Sequence, residues 1–166
     1  MRLVDVLLSL PGLVVALAVV GMIGPGLIQV MLAMTAIWWV DYARMIRGAT
    51  LRTREEDYVL AARSLGASQS SILTRHLLPN VLPTALVLTS LSIGSLLLAL
   101  AGLSFLGFGA QPPTPEWGAM LESGRPFFQR APQLMIYPGL AITVTAFALN
   151  LVGDGLRDIL DPRLRA

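Results

Sequence analysis

Residues 81–102 read VLPTALVLTSLSIGSLLLALAG, twenty-two positions without one Asp, Glu, Lys or Arg. A helix needs about 20 predominantly apolar residues to cross the hydrocarbon core of a bilayer. This stretch has that length, and its one proline, Pro83, falls in the first turn, where a missing N–H is tolerated. It lies inside the longest of three charge-free runs, 76–115, with 6–40 and 131–153 as the others. Of the 166 residues 55% are hydrophobic and 13% charged, and the mean hydropathy is +0.70. Soluble domains carry about 25% charged residues. The composition excludes an ordinary soluble enzyme, a disordered chain and a nucleic-acid binder. It predicts an all-α, polytopic membrane protein.

Four transmembrane helices are expected, over about 4–23, 27–46, 81–102 and 134–152. Gly24-Pro25-Gly26 separates the first two as a strong turn signal. A polar segment, 47–80, follows the second, and a Gly-, Pro- and aromatic-rich loop, 103–133, follows the third. Four spans put both termini and the 47–80 loop on one side. That side holds ten of the twelve Arg, namely Arg2, Arg44, Arg47, Arg52, Arg54, Arg63, Arg75, Arg157, Arg163 and Arg165; the other holds Arg125 and Arg130. The positive-inside rule makes the Arg-rich side, with both termini, cytoplasmic. Trp38, Trp39 and Tyr42 fall near the cytoplasmic end of the second span, as interfacial anchors do. Arg2 and the apolar stretch to Ala16-Leu17-Ala18 also resemble a secretory signal. Asp5, Pro11-Gly12 and apolar character running on to Ile23 oppose that reading.

The chemistry available is narrow. With no Cys and one His, His76, there are no disulfides or thiolate sites and no metal site is expected. No acid or base lies mid-span, where proton- or sodium-coupled carriers normally keep one. Asp41 sits at the interface three residues before Arg44, a spacing that predicts a local ion pair. Thr35, Thr89, Ser92 and Ser95 give the spans a mild polar face. These hydroxyls read first as helix-packing groups, and second as pore-lining groups.

The 47–80 loop is the most specific part. Residues 55–65 read as one helix, with Glu55, Glu56 and Asp57 complementing the dipole at its start. Tyr58, Ala61, Ala62 and Leu65 share a face at i, i+3, i+4, i+7. Gly66 supplies a left-handed stop. Ser68 or Ser70 caps a second helix carrying Ile72, Leu73, Leu77 and Leu78, with Pro79 as its end. Periodicity leaves two readings of this helix–Gly–helix pair open. It suits a groove on another protein, where small Ala61 and Ala62 allow close approach, or it lies on lipid headgroups.

The residues Tyr58 to Ser68, then Ile72 and Arg75-His76-Leu77-Leu78-Pro79-Asn80, resemble the cytoplasmic "EAA" loop of permease subunits of bacterial ABC importers. The likeness is greatest to the second permease of dipeptide, oligopeptide and nickel importers, the DppC/OppC type. Arg2-Leu3-Val4-Asp5 with Pro11-Gly12, Tyr42-Ala43-Arg44 and Arg47-Gly48 fit the same pattern. So do Gly102 to Gly107, Gln111 to Gly118, Gly153 to Asp158, and Asp161-Pro162-Arg163.

The resemblance implies a pore-forming permease for peptides, or for nickel or glutathione, in the bacterial cytoplasmic (inner) membrane. It implies that the 47–80 loop forms coupling helices seated in a groove of cytoplasmic ATP-binding subunits. Tyr58, Ala61, Ala62, Arg63, Gly66, Ala67 and Ser68 would form that docking motif, and Leu60 replaces the motif's Glu. The implied partners are a second permease subunit in a heterodimer, the ATP-binding subunits, an external substrate-binding protein and membrane lipid, with no nucleic acid. This chain would be no enzyme and bind no cofactor; ATP and Mg would be used by the partner subunits. The 103–133 loop would be external, lying over the pore mouth or against the binding protein. Family members carry about two further spans upstream of Met1. The chain is therefore expected to match the C-terminal two-thirds or so of a permease, through a truncated gene, a late start or a split subunit. The competing readings are an ion-coupled carrier or channel without an ATPase, and an inactive remnant.

Overall fold

The computed structural model describes residues 2–160; Met1 and the Asp161-Pro162-Arg163 motif, with Arg165, lie outside the described residues. Every regular element described is helical. The expected 4–23 stretch is built as two helices, α1 (Arg2–Leu8) and α2 (Gly12–Ile23). Pro11 has no N–H to donate, and it biases Leu10 away from helical dihedrals. At this break Ser9 Oγ donates to the Val6 carbonyl at 2.7 Å. At about 1.5 Å per residue, the twelve residues of α2 reach about 18 Å.

The turn 24–26 reverses the chain through two glycines, Gly24 at φ 108° and Gly26 at φ 154°. Helix α3 (Leu27–Arg54) follows and has 28 residues. It continues past the expected end at 46 because 47–54 contains no stop signal stronger than Gly48, and its Ala, Leu and Arg favour helix. Ala16 and Val20 of α2 pack on Val30, Ala33 and Met34 of α3, with Leu103 completing the cluster. Helix α1 is tied to α3 by an ion pair between Asp5 and Arg44 at 2.9 Å. Arg44 is therefore paired with a residue 39 positions away and not with Asp41. Asp41 instead borders a small recess of about 50 Å³ at the α1–α2 break, beside Leu10, Gly12 and Ile37.

Helix α4 (Asp57–Ser64) and the short α5 (Gln69–Ile72) come next. A π-helical turn, Leu73–Leu77, then leads directly into α6 (Leu78–Phe105). The expected stop at Pro79 is thus absent. Pro79 is the second residue of α6, and the widened turn before it accommodates a ring that clashes in a plain α-helix. After the loop 106–116 come α7 (Trp117–Gly124), a 3-10 turn Arg125–Phe127, and α8 (Gln133–Leu160). The most extensive helix contact is between α6 and α8, and α7 packs against both.

Among the described residues two stretches are long and apolar enough to cross a membrane, Gln69–Phe105 and Gln133–Ile159. Only 17% of the most apolar window of each is buried, so neither is the core helix of a globule. Their outward faces carry large apolar groups such as Leu98, Leu140, Val144 and Phe147. Apolar surface on this scale marks contact with lipid or protein. The helices α3 and α6 run antiparallel. Gly26 N–H at the start of α3 donates to Phe108 O, just past α6. The far end of α3 meets α4 and the π-helical turn. The bundle thus has two ends, one with the α4–α5 pair and most Arg, the other with the 106–116 loop, Arg125 and Arg130.

Candidate functional site

The α4–α5 pair is built from local rules. Leu65 to Ala67 close α4 as a Schellman motif: Ala67 N–H donates to Ala62 O at 3.1 Å and Gly66 N–H to Arg63 O at 3.0 Å. This geometry needs a left-handed residue, and Gly66 adopts φ 81°. Of the two serines, Ser68 is the cap; its Oγ accepts from Ser71 N–H at 3.2 Å. The helix–Gly–helix shape read from the sequence is present.

Which residues turn inward was not legible in the same way. Val59, absent from the expected face, is fully buried against Ile72 and Leu77, with Ala67 packed on the same cluster. Ala62, three residues on from Val59, is half-buried. Tyr58, Ala61, Arg63, Gly66 and Ser68 are exposed, and Leu65 is 89% exposed. Val59 therefore holds the pair together, while Tyr58, Ala61 and Leu65 form a small apolar face on its outside. Leu60, at the motif's Glu position, is also exposed. The Leu60 carbonyl accepts from Ser64 Oγ at 3.0 Å. The Tyr58 ring lies 6.1 Å from the His76 ring at 46°, within the range of a tilted ring contact. The Asn80 side-chain amide donates to His76 O at 2.7 Å.

The four span hydroxyls are not drawn into one site. Thr35 Oγ1 donates to Met31 O, Thr89 Oγ1 to Ala85 O and Ser92 Oγ to Leu88 O, all at 2.7–2.8 Å within their own helices. Ser95, like Thr35 and Thr89, is exposed, and Ser92 is half-buried.

At the opposite end the loop folds over α6 and α7 and borders an open cleft of about 530 Å³. Glycines make the fit possible. A Cβ on Gly109 would collide with Ser104 Oγ, and one on Gly118 would come within 2.6 Å of Ala101 O. Ser104 is buried beneath them, and its hydroxyl has no hydrogen-bond partner among the described residues. Both carboxylate oxygens of Glu116 cap α7, accepting from Gly118 N–H at 2.9 Å and Ala119 N–H at 2.8 Å. The Arg125 guanidinium lies 6.0 Å from the Phe105 ring centre. Glu116, Glu122 and Ser123 line the cleft with Pro113 and Phe127, so its charge is acidic.

A family model described as the binding-protein-dependent transport system inner membrane component matches residues 1–166. The chain is similar to the glutathione transport system permease protein GsiD of Escherichia coli O157:H7, of Escherichia coli O6:K15:H31 (strain 536) and of Shigella flexneri serotype 5b (strain 8401). Each is 46% identical over 165 residues, which is 99% of this chain and 54% of the relative. The chain thus spans about half the length of these curated relatives, against the two-thirds or so expected.

Proposed function

The chain belongs to the family of binding-protein-dependent transport system inner membrane components, and on that premise we propose that it is a pore-forming permease segment of an ATP-driven importer. The substrate class is a peptide or a related small solute, in keeping with the similarity to glutathione permeases. Four membrane-embedded segments, α1–α2, α3, α6 and α8, surround part of a pore completed by a second permease subunit. The Arg-rich end with both termini faces the cytoplasm.

The observation that carries this reading is the α4–α5 pair. It presents Tyr58, Ala61 and Leu65 outward at the end where the Arg are concentrated. Through Val59, α4 is seated on Ile72 and Leu77 of the helical stretch that continues as α6. A small apolar helix face of this kind fits a groove on another protein. ATP-binding subunits occupy that face, with Ala61, Ala62, Arg63, Gly66, Ala67 and Ser68 at or near the contact. ATP and Mg are used there, not in this chain. The loop end, with its acidic cleft, meets the external substrate-binding protein.

The test is capture of the ATP-binding subunit by detergent-solubilised chain, wild type against Gly66→Pro. Proline fixes φ near −65° and so removes the turn that joins the pair. Capture by wild type and its loss in the variant are expected. If a normally inserted wild-type chain captures no ATP-binding subunit, the proposal fails.

A further inference from the structure

The rod from Gln69 to Phe105 contains one irregularity, the π-helical turn Leu73–Leu77, in which Leu78 N–H donates to Leu73 O five residues back. Such a turn amounts to an α-helix with one residue inserted, and these turns occur often at functional sites. Neighbours must hold it open. Ile72 and Leu77 both pack on Val59, yet five residues apart on an α-helix they would point about 140° away from each other. The wider turn brings them round to one side. Just beyond it, Pro79 and Pro83 lack the N–H groups that an α-helix would direct at Arg75 O and Pro79 O. Asn80 reaches back to His76 O with its side chain, and the Tyr58 ring leans on the His76 ring.

Two of these supports, Val59 and Tyr58, belong to α4, and Tyr58 also belongs to the exposed face. A force on that face therefore acts on the turn directly. We propose that Leu73–Leu77 is a latched hinge between the α4–α5 pair and the membrane-embedded part of α6. Val59 and Tyr58 are the latch, and Asn80 positions the turn from the α6 side. Val59 stays packed on Ile72 of α5, and its release from Leu77 lets the α4–α5 pair swing about the turn, so that the pair and α6 do not move as one rigid body. This inference rests on the importer reading above.

Two experiments on the chain assembled with its second permease and ATP-binding subunits test it. Deletion of Thr74, an exposed residue of the turn, leaves Ile72 and Leu77 four apart. A plain α-helix then keeps both against Val59 and the hinge is gone. ATP-binding subunits are still captured, and uptake in proteoliposomes falls at least tenfold. Uptake at the wild-type rate overturns the hinge. The second measurement needs no deletion. The chain has no Cys, so Gln69→Cys and Leu82→Cys, both at exposed positions, place a spin-label pair across the turn. The distance between them changes between the ATP-bound and nucleotide-free states. An unchanged distance while uptake proceeds overturns the hinge and leaves the importer reading standing. Failure of the wild-type chain to capture an ATP-binding subunit overturns both.

Discussion

Asn150 on α8 fills the space that a side chain on Gly94 of α6 would need. A Cβ on Gly94 would fall 2.5 Å from Asn150 Oδ1 and 3.1 Å from Ala146 O. Nearby, a Cβ on Gly153 would lie 3.1–3.2 Å from Leu91. Small residues let membrane helices approach closely enough for backbone packing. Gly94→Val is expected to destabilise the α6–α8 pair by about 1–3 kcal/mol, the usual scale of overpacking. Gly155→Ala, whose Cβ meets nothing within 4 Å among the described residues, is expected to have no such effect. Thermal unfolding in detergent measures both.

Gly66 is demanded by the backbone alone, since a Cβ there meets nothing within 4 Å while φ is 81°. Gly66→Ala should cost about 1–2 kcal/mol, and Gly66→Asn less, because Asn tolerates the left-handed region better. Hydrogen exchange over residues 57–78 will report the loss, with residues 134–152 unaffected.

Val59 and Leu65 separate stability from contact. Val59→Ala empties a fully buried site and is expected to loosen the helix pair by about 1–3 kcal/mol. Leu65→Ala removes an 89% exposed side chain and should leave stability within about 0.5 kcal/mol. It should nonetheless weaken capture of the ATP-binding subunit. Unfolding curves and capture assays on both variants give the four results needed.

Glu116 accepts two N–H groups at the start of α7. Glu116→Ala should cost about 0.5–2 kcal/mol, the range for a lost N-cap. Faster proteolysis within 106–124, at unchanged membrane insertion, is the expected observation.

The Asp5–Arg44 pair is more than half exposed on both sides. A double-mutant cycle with Asp5→Asn and Arg44→Gln is expected to give a coupling of about 0.2–1 kcal/mol. The coupling should shrink at high salt, as screening of exposed charges requires.

The features legible in the sequence were those set by neighbouring residues. Gly66 and Ser68 announce a left-handed turn and a cap because both act within four positions. The apolar runs around α6 and α8 announce helices by length and composition. What escaped depends on distant partners. Arg44 has an acid three residues away but bonds one 39 positions off, because α1 folds back along α3. Pro79 reads as a stop when it is judged against an α-helix, and the π-helical turn before it changes the register. The inward side of α4 depends on distant residues too: Val59 packs on Ile72 and Leu77, which the π-helical turn puts on one side. Ser104 gave no signal, since its burial depends on Gly109 and Gly118 in a loop and a different helix.

The hydroxyls of Thr35, Thr89, Ser92 and also Thr143 each give their proton to a carbonyl one turn back. What remains outward is lone pairs, because the donors are already committed. A helix face built this way shows its surroundings hydrogen-bond acceptors rather than donors at these four positions, and its hydroxyls take part in contacts only with groups that bring their own N–H or O–H.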